Sequence, residues 1–322
     1  FLMEHEQYTY PEALLFLAEK YSITVEYEEL NLKDQKEESE RQATIIVLNF
    51  VKKIFAQNLI DSSDGLTYLQ NRGFNQETIN QFEIGYCDRL DNTILTKTKR
   101  NGYNIKYLSK SRIINKKGEN RFRGRIIFPI HGLTGDVVGF GARTLNMQLK
   151  TVKYLNSDSS EIYQKSKILY AMHLAKKHIK KLDFCYIVEG YTDVISLFQF
   201  GVKNVVSNCG TALTKDQIRL IHRFTKNIII LFDSDQAGIN ATLKAIDEIL
   251  KQHMNPRVLQ LPSGTDPASF IQENQEEIIN KYFKENTVDF IDFKLQLKKN
   301  ETADELINIT KNIMDSISLI ED

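Results

Sequence analysis

Two short, nearly unbroken apolar runs in this chain stop abruptly on carboxylates. Phe184–Val188 runs into Glu189, and Ile228–Phe232 runs into Asp233 and Asp235. Runs of this length between helix-like segments predict strands of a parallel sheet buried on both faces. From Leu182 the pattern repeats, with strands expected at 184–188, 204–208, 227–232 and 257–261. Helices are expected between them, near 192–200, 214–225 and 237–252. Strands alternating with helices of these lengths imply an α/β unit with helices on both faces of the sheet.

Upstream the pattern differs. Pro11 to Tyr21 predicts a helix with proline in its first turn, and residues 24–42 read as a polar, acidic linker. Ala43 to Leu59 is apolar at helical length. Asp64 to Phe74 predicts a helix closed by Gly73, and Asn75 caps the next one. From Arg121 to Ile130 the period becomes two, which would put Arg121, Arg123 and Arg125 on one face of an extended segment. Gly132 to Gly135 predict a hairpin turn, and Asp136 to Arg143 the returning strand. Lys153 to Ser157 reads as a loop and Ser166 to Lys180 as a helix; after Asp266 the pattern is helical to the end. The expected organisation is an α+β, basic N-terminal subdomain over 1–165, a parallel α/β domain over 166–285, and a truncated helical segment over 286–322.

At 322 residues, 42% hydrophobic and 26% charged, the chain has the composition of a globular protein with a real core. No apolar run of membrane-spanning length and no signal peptide is read from it. The first residue is Phe1 and the earliest methionine Met3, so a fragment with its natural N-terminus upstream is expected. Cys87, Cys185 and Cys209 lack paired spacing, which argues against a disulfide framework or a zinc site and fits a reducing cytoplasm. Each is expected to be a small buried hydrophobe. Net charge is zero, yet Lys97 to Arg125 holds eleven Lys/Arg against one acid, Glu119. A segment so one-sided suits a polyanionic partner better than a solvated face of mixed sign.

The candidate chemistry lies at the strand ends, where parallel sheets collect ligands. Glu189, Asp233 and Asp235 converging there would repel one another unless protonated or neutralised by a cation. An all-oxygen set suits Mg²⁺ or Mn²⁺, and therefore phosphates. Helix capping competes with this reading for either motif alone; their joint occurrence favours metal. Asn208, Gly210 and Thr211 sit at a third strand end, where small residues admit a phosphate or simply make a turn capped by Thr214. The three arginines, with Arg143 on the paired strand, suit phosphate contacts better than a charged edge strand. The six histidines show no ligand spacing, and no P-loop is present, so an ATPase is not indicated.

These carboxylates match the signature of the Toprim domain, a Glu at one strand end and Asp-x-Asp at another. The match extends further. Glu189–Asp193, Phe232–Gly238, Arg121–Ile130, Gly139–Arg143 and Lys153–Ser157 together resemble the bacterial DnaG-type DNA primase, in order, over residues 1 to about 290. The resemblance implies the RNA polymerase core of a primase, a nucleotidyltransferase making short RNA primers on single-stranded DNA during replication. Glu189, Asp233 and Asp235, joined by Asp193 and Asp266, would hold two or more Mg²⁺ or Mn²⁺ ions. Arg143, Lys153 and Lys165 match family positions near nucleotide and template, Arg72 matches another basic position lining the groove, Asn156 is a further nucleotide- or template-binding candidate, and the Lys97–Arg125 region would track the template and the RNA–DNA hybrid. Ribonucleoside triphosphates are the implied substrates. The family's zinc module and helicase-binding region are expected to lie outside this chain, so no zinc is expected within it. A monomer is expected, in the bacterial cytoplasm at the replication fork and its primosome. Two departures stand out. Asp266-Pro267-Ala268 replaces Asp-Pro-Asp, which puts an auxiliary metal position in doubt, and Ala142 replaces a glycine.

Other Toprim enzymes are the alternative. A topoisomerase would need a nucleophilic tyrosine in a separate DNA-binding domain, and a Toprim nuclease would lack the Arg121–Ser157 block. A non-catalytic single-strand-binding module has no use for clustered carboxylates, which oppose a polyanion unless metal is bound.

Overall fold

A computed structural model describes residues 10–23, 32–89, 93–145, 152–297 and 303–320. It contains an antiparallel sheet followed by a mainly parallel one. The opening residues of the primase resemblance, 1–9, lie outside the described part.

The N-terminal half begins with α1 (Tyr10–Tyr21), α2 (Leu32–Ile60), α3 (Ser63–Asn71) and α4 (Gln76–Gln81). The expected linker is therefore shorter than residues 24–42, because the acidic stretch from Leu32 continues helically into α2. Segment Glu37–Ile60 is long and apolar enough to cross a membrane, contrary to the sequence reading. Its Val47, Leu48, Val51 and Phe55 are instead buried in a core shared with the antiparallel sheet. Lys52 on the same helix pairs with Glu83 at 2.5 Å. Asn75 caps α4 as expected, accepting from the Thr78 N–H at 2.8 Å.

Next come β1 (Gly85–Cys87), α5 (Thr93–Arg100), α6 (Lys106–Lys110), β2 (Arg125–His131), β3 (Val137–Thr144) and β4 (Tyr154–Asn156). The four strands pair antiparallel in the order β1-β2-β3-β4. Three features depart from expectation. β1 is too short to be read from period alone, and the anticipated loop at Lys153–Ser157 is strand β4, anchored by pairs such as Ala142 with Leu155. The predicted arginine face does not form. Arg121 to Gly124 is a turn, and Gly124 takes φ +68°, a left-handed conformation that breaks the strand before Arg125.

After a 3₁₀ turn at Lys165–Lys167 the chain forms α7 (Met172–Leu182), β5 (Cys185–Val188), α8 (Tyr191–Phe200), β6 (Val205–Ser207) and α9 (Lys215–His222). β7 (Asn227–Ile230), α10 (Gln236–Leu250), β8 (Asn255–Leu259), α11 (Pro267–Glu273) and α12 (Glu276–Asn286) follow. The chain ends with β9 (Thr287–Asp289), α13 (Phe290–Gln296) and α14 (Ala303–Ile317). The sheet order is β6-β5-β7-β8-β9, with β5 to β8 parallel and β9 antiparallel to β8. A strand at Thr287–Asp289 was not expected inside a helical tail.

Alternating side chains load the two faces of this sheet. Cys185, Ile187, Ile228 and Ile230 pack with α7, α9 and α10, whereas Tyr186, Val188 and Ile229 pack with α8 and α12. The second core also takes in Phe74, Phe82, Ile126 and Phe128 from the N-terminal half. The two sheets thus share one apolar interior. Gly141 of β3 lies directly against Tyr191 of α8. A Cβ there would lie 2.3 Å from the Tyr191 Cζ, so only glycine admits the ring. Tyr191 is held by a parallel stack on Phe128 at 5.1 Å and donates its hydroxyl to Asn156 Oδ1 at 2.8 Å. Ala142 is fully buried and has no positive φ, so its methyl in place of glycine is accommodated.

Candidate active site

The strand-end carboxylates are fixed by backbone. Glu189 leaves β5 with its carbonyl accepting from Ser207 Oγ at 2.7 Å and from the Gly210 N–H at 3.2 Å. Asp193, in the first turn of α8, accepts the Gly190 N–H at 3.0 Å. Asp235 caps α10 through the Gly238 N–H at 2.8 Å, and Asp266 caps α11 through the Ser269 N–H at 2.8 Å. Capping and site-building are therefore combined, since each cap occupies one carboxylate oxygen and leaves the other. Ser234, between the two aspartates, donates to the carbonyls of Pro262 and Thr265 and ties this turn to the loop after β8.

A cavity of about 250 Å³ opens at these strand ends. Glu189, Asp193, Asp233 and Asp266 line it together with Arg72 and Lys153, whereas Asp235 is exposed beside it and outside the lining. Burial, then the charges of Asp233 and Asp266, push the Asp193 carboxyl up to about 7. Burial followed by Asp233 raises Glu189, and burial followed by Asp266 and Asp235 raises Asp233, with Lys153 opposing the latter. Glu189 Oε1 is buried and has no hydrogen-bond partner. Mutually raised carboxylates and an orphaned buried oxygen are what a hard divalent cation would relieve, so the donor chemistry fits Mg²⁺ or Mn²⁺. Among the described residues, no three such side chains stand close enough to form a ready-made ion cage. That suits an ion which keeps several waters and completes its shell with substrate phosphate.

The other sequence candidates divide. Asn156 lines the cavity, but both ends of its amide are engaged, by Tyr191 and by the Cys209 carbonyl at 3.2 Å. Its place is to join β4 to the parallel sheet. Asn208 and Thr211 bond each other, Asn208 Nδ2 to the Thr211 carbonyl at 2.7 Å and Thr211 Oγ1 back at 3.0 Å. They line a neighbouring hollow that shares Glu189 and Gly210 with the cavity. Thr214 caps α9 as the turn reading expected. Lys165 lies in the 3₁₀ turn, outside the cavity lining, with its carbonyl bound by Gln217.

None of Arg121, Arg123 and Arg125 lines the cavity. Arg121 pairs with Asp158 at 2.8 Å, and Arg123 lies 4.0 Å from Glu119. Arg125 is buried and donates to the Lys153 carbonyl at 3.3 Å, bracing the backbone just before β4. Ala268 is buried in α11 and offers no donor oxygen for an auxiliary metal. Cys209 departs from its expectation, being only partly buried and part of the lining.

Sequence reasoning missed the aromatic residues of this site. Tyr68 stacks under both Arg143, at 4.9 Å, and Arg72, at 5.8 Å. Tyr154 also meets Arg143, at 5.6 Å, and Lys153, at 5.9 Å. Only the four-residue spacing from Tyr68 to Arg72 on one helical turn hinted at this.

Comparison with known proteins agrees with this geometry. The model of the DNA primase catalytic core, N-terminal domain, matches residues 54–176, and a Toprim-like model matches residues 186–271. The DNA primase of Clostridium acetobutylicum is 33% identical over 329 residues, covering 100% of this chain and 54% of that protein. A DNA primase of Helicobacter pylori is 34% identical, covering 97% of this chain and 56% of that protein. The chain thus spans about half the length of the curated relatives it matches. The crystal structure of Aquifex aeolicus primase, comprising zinc-binding and RNA polymerase domains, aligns with a TM-score of 0.80 at 28% identity. That alignment covers 100% of this chain and 77% of that one. A DnaG primase catalytic domain bound to ssDNA aligns at 0.74 and 29% identity, over 88% of this chain and 94% of that one. With both catalytic-core domains matched in order and the acidic cavity built at the Toprim strand ends, the chain belongs to the bacterial DnaG-type primase family.

Proposed function

We propose that this chain is the catalytic core of a DNA primase, joining ribonucleotides by metal-dependent nucleotidyl transfer on a single-stranded DNA template. The observation that carries the reading is the cavity lined by Glu189, Asp193, Asp233 and Asp266 together with Arg72 and Lys153. Acids and bases in one cavity suit a triphosphate bridged by cations to the carboxylates and met directly by the basic side chains.

Glu189, Asp233 and Asp235 would hold the metal, with Asp193 and Asp266 supporting them. Bound there, Mg²⁺ or Mn²⁺ supplies Lewis acidity to a phosphate and makes a nearby hydroxyl more acidic. The chain's own part is positioning. Lys153 and Arg72 would receive phosphate charge inside the cavity that the carboxylates also line. The Glu189 carbonyl, fixed by Ser207 and Gly210, holds the head of β5 still while this happens. The basic Lys97–Arg125 region follows phosphates of template and hybrid without base readout. A replicative helicase is the expected partner through sequence beyond this chain, and the cytoplasmic replication fork is the expected location.

The test is ribonucleotide incorporation on single-stranded DNA with Mg²⁺ or Mn²⁺. Metal-dependent RNA synthesis supports the reading. DNA binding without synthesis would favour a binding module, and strand cleavage or relaxation another Toprim enzyme.

A further inference from the structure

Arg143 is 6% exposed, and its Nε has no hydrogen-bond partner. Among the described residues it makes no ion pair, nor do Arg72 and Lys153. A buried guanidinium ordinarily demands a carboxylate. Here aromatic rings take that place. Its Nη1 donates to the Tyr68 hydroxyl, its Cζ lies 4.9 Å from the Tyr68 ring and 5.6 Å from the Tyr154 ring, and those rings also carry Arg72 and Lys153. The order is Arg72, Tyr68, Arg143, Tyr154, Lys153, a ladder of alternating cation and ring. Its ends, Arg72 and Lys153, and the Tyr154 rung line the acidic cavity.

The choice of ring over carboxylate has an electrostatic meaning. A carboxylate would fix a guanidinium and cancel its charge. A ring face fixes it and leaves the charge intact, at a modest cation–π energy. Three cations held in a row without an ion pair among the described residues present a potential matched to a chain of phosphates.

We infer that Tyr68 is a positioning residue for phosphate binding, aligning Arg143 and Arg72 while leaving their charge free for the anion. The inference rests on the proposed nucleotidyl-transfer site. The phosphate could belong to the nucleotide or to the template backbone, and the two sources separate by experiment.

Tyr68→Leu, Tyr68→Phe, Arg143→Ala and the Tyr68→Leu/Arg143→Ala pair are compared with the parent chain. Inorganic tripolyphosphate with Mg²⁺ is titrated by calorimetry, a short oligothymidylate by anisotropy, and KM and kcat are measured for ribonucleotide incorporation. Tyr68→Leu should weaken one of the two ligands by about tenfold. Tyr68→Phe, which keeps the ring and loses the hydroxyl, should fall between. KM should rise more than kcat falls if the triphosphate is the ligand, and the pair should lose less than the sum of the two single losses, because only the Arg72 contact remains for Tyr68 to align. Thermal melting identifies a variant that merely unfolds, in which case Tyr68→Phe carries the comparison. If Arg143→Ala weakens binding while both Tyr68 variants bind like the parent, or if the two losses add in full, the ladder has no such role. If Arg143→Ala itself leaves both ligands unaffected, the placement of phosphate at this wall fails first and the inference falls with it.

Discussion

Gly238 in the first turn of α10 lies so close to Asp233 that a Cβ on it would stand 2.0 Å from the Asp233 carbonyl oxygen. The cap made by Asp235 pulls the helix start onto the strand end, and only a hydrogen leaves room for the turn between them. Gly238→Ala should therefore displace Asp233 rather than simply lower stability. We expect a loss of about 2–4 kcal/mol in chemical denaturation, together with near-complete loss of RNA synthesis. A variant that keeps both full stability and full activity would show that the turn relaxes freely.

Carboxylates that raise one another's pKa work against folding in the absence of a cation. Asp233→Asn and Glu189→Gln should abolish metal-dependent synthesis yet melt at or above the parent's temperature in chelator. Added Mg²⁺ should then raise the melting temperature of the parent more than that of either variant. Equal responses to Mg²⁺ would detach these residues from the metal.

The shared interior of the two sheets predicts a different kind of lesion at Gly141. A methyl there cannot coexist with the Tyr191 ring, which is pinned by Phe128 and Asn156. Gly141→Ala should cost about 2–4 kcal/mol and broaden the unfolding transition as the halves lose their common core. Differential scanning calorimetry measures both, and a single sharp transition at the parent's temperature would contradict it.

A half-buried cluster of titratable side chains away from the cavity sets acid sensitivity. His131 bonds Glu83 at 2.9 Å, and the His131 ring lies 4.3 Å from that of His173, beside Lys52 and Lys176. Burial, then the charge of His131, pushes His173 down to about 3, below its ordinary 6.5. Between those values the unfolded chain holds a proton that the folded chain refuses, so stability falls as pH drops from 6.5 toward 3. The loss should reach about 2–3 kcal/mol by pH 4.5, and His173→Gln should remove it. Glu83, held near 2 mainly by its hydrogen bond from His131, adds stability that is present above 4.5 and lost as pH falls toward 2. Denaturant midpoints across this range separate the two limbs. An unchanged acid limb in His173→Gln would assign it elsewhere.

The parallel sheet was legible because each of its main strands is an apolar run stopped by a turn, and Glu189 and Asp233 stand where those runs end. β1, β4 and β9 were not, because a three-residue strand carries no period and exists only through partners distant in sequence. The arginine face failed at one residue. Alternation from Arg121 to Arg125 is real, but Gly124 converts it to a turn, and the sequence cannot show which conformation a glycine takes. Tyr68 stayed hidden for a related reason. Its partner Arg143 lies 75 positions away, and an aromatic on a helix reads as core until the fold brings a cation to it.

β9 has a consequence beyond topology. A parallel strand at the rim of a sheet leaves a row of unpaired amides and carbonyls that any extended chain could zip onto. In this molecule that row belongs to β8, and the chain covers it with three of its own residues, secured by Arg257 donating to the Thr287 carbonyl at 2.8 Å. The stitch is short, but it makes solubility a property of residues far from any nucleotide. Removing the chain from Thr287 onward would leave the acidic cavity intact on paper and bare the seam beside it to other copies.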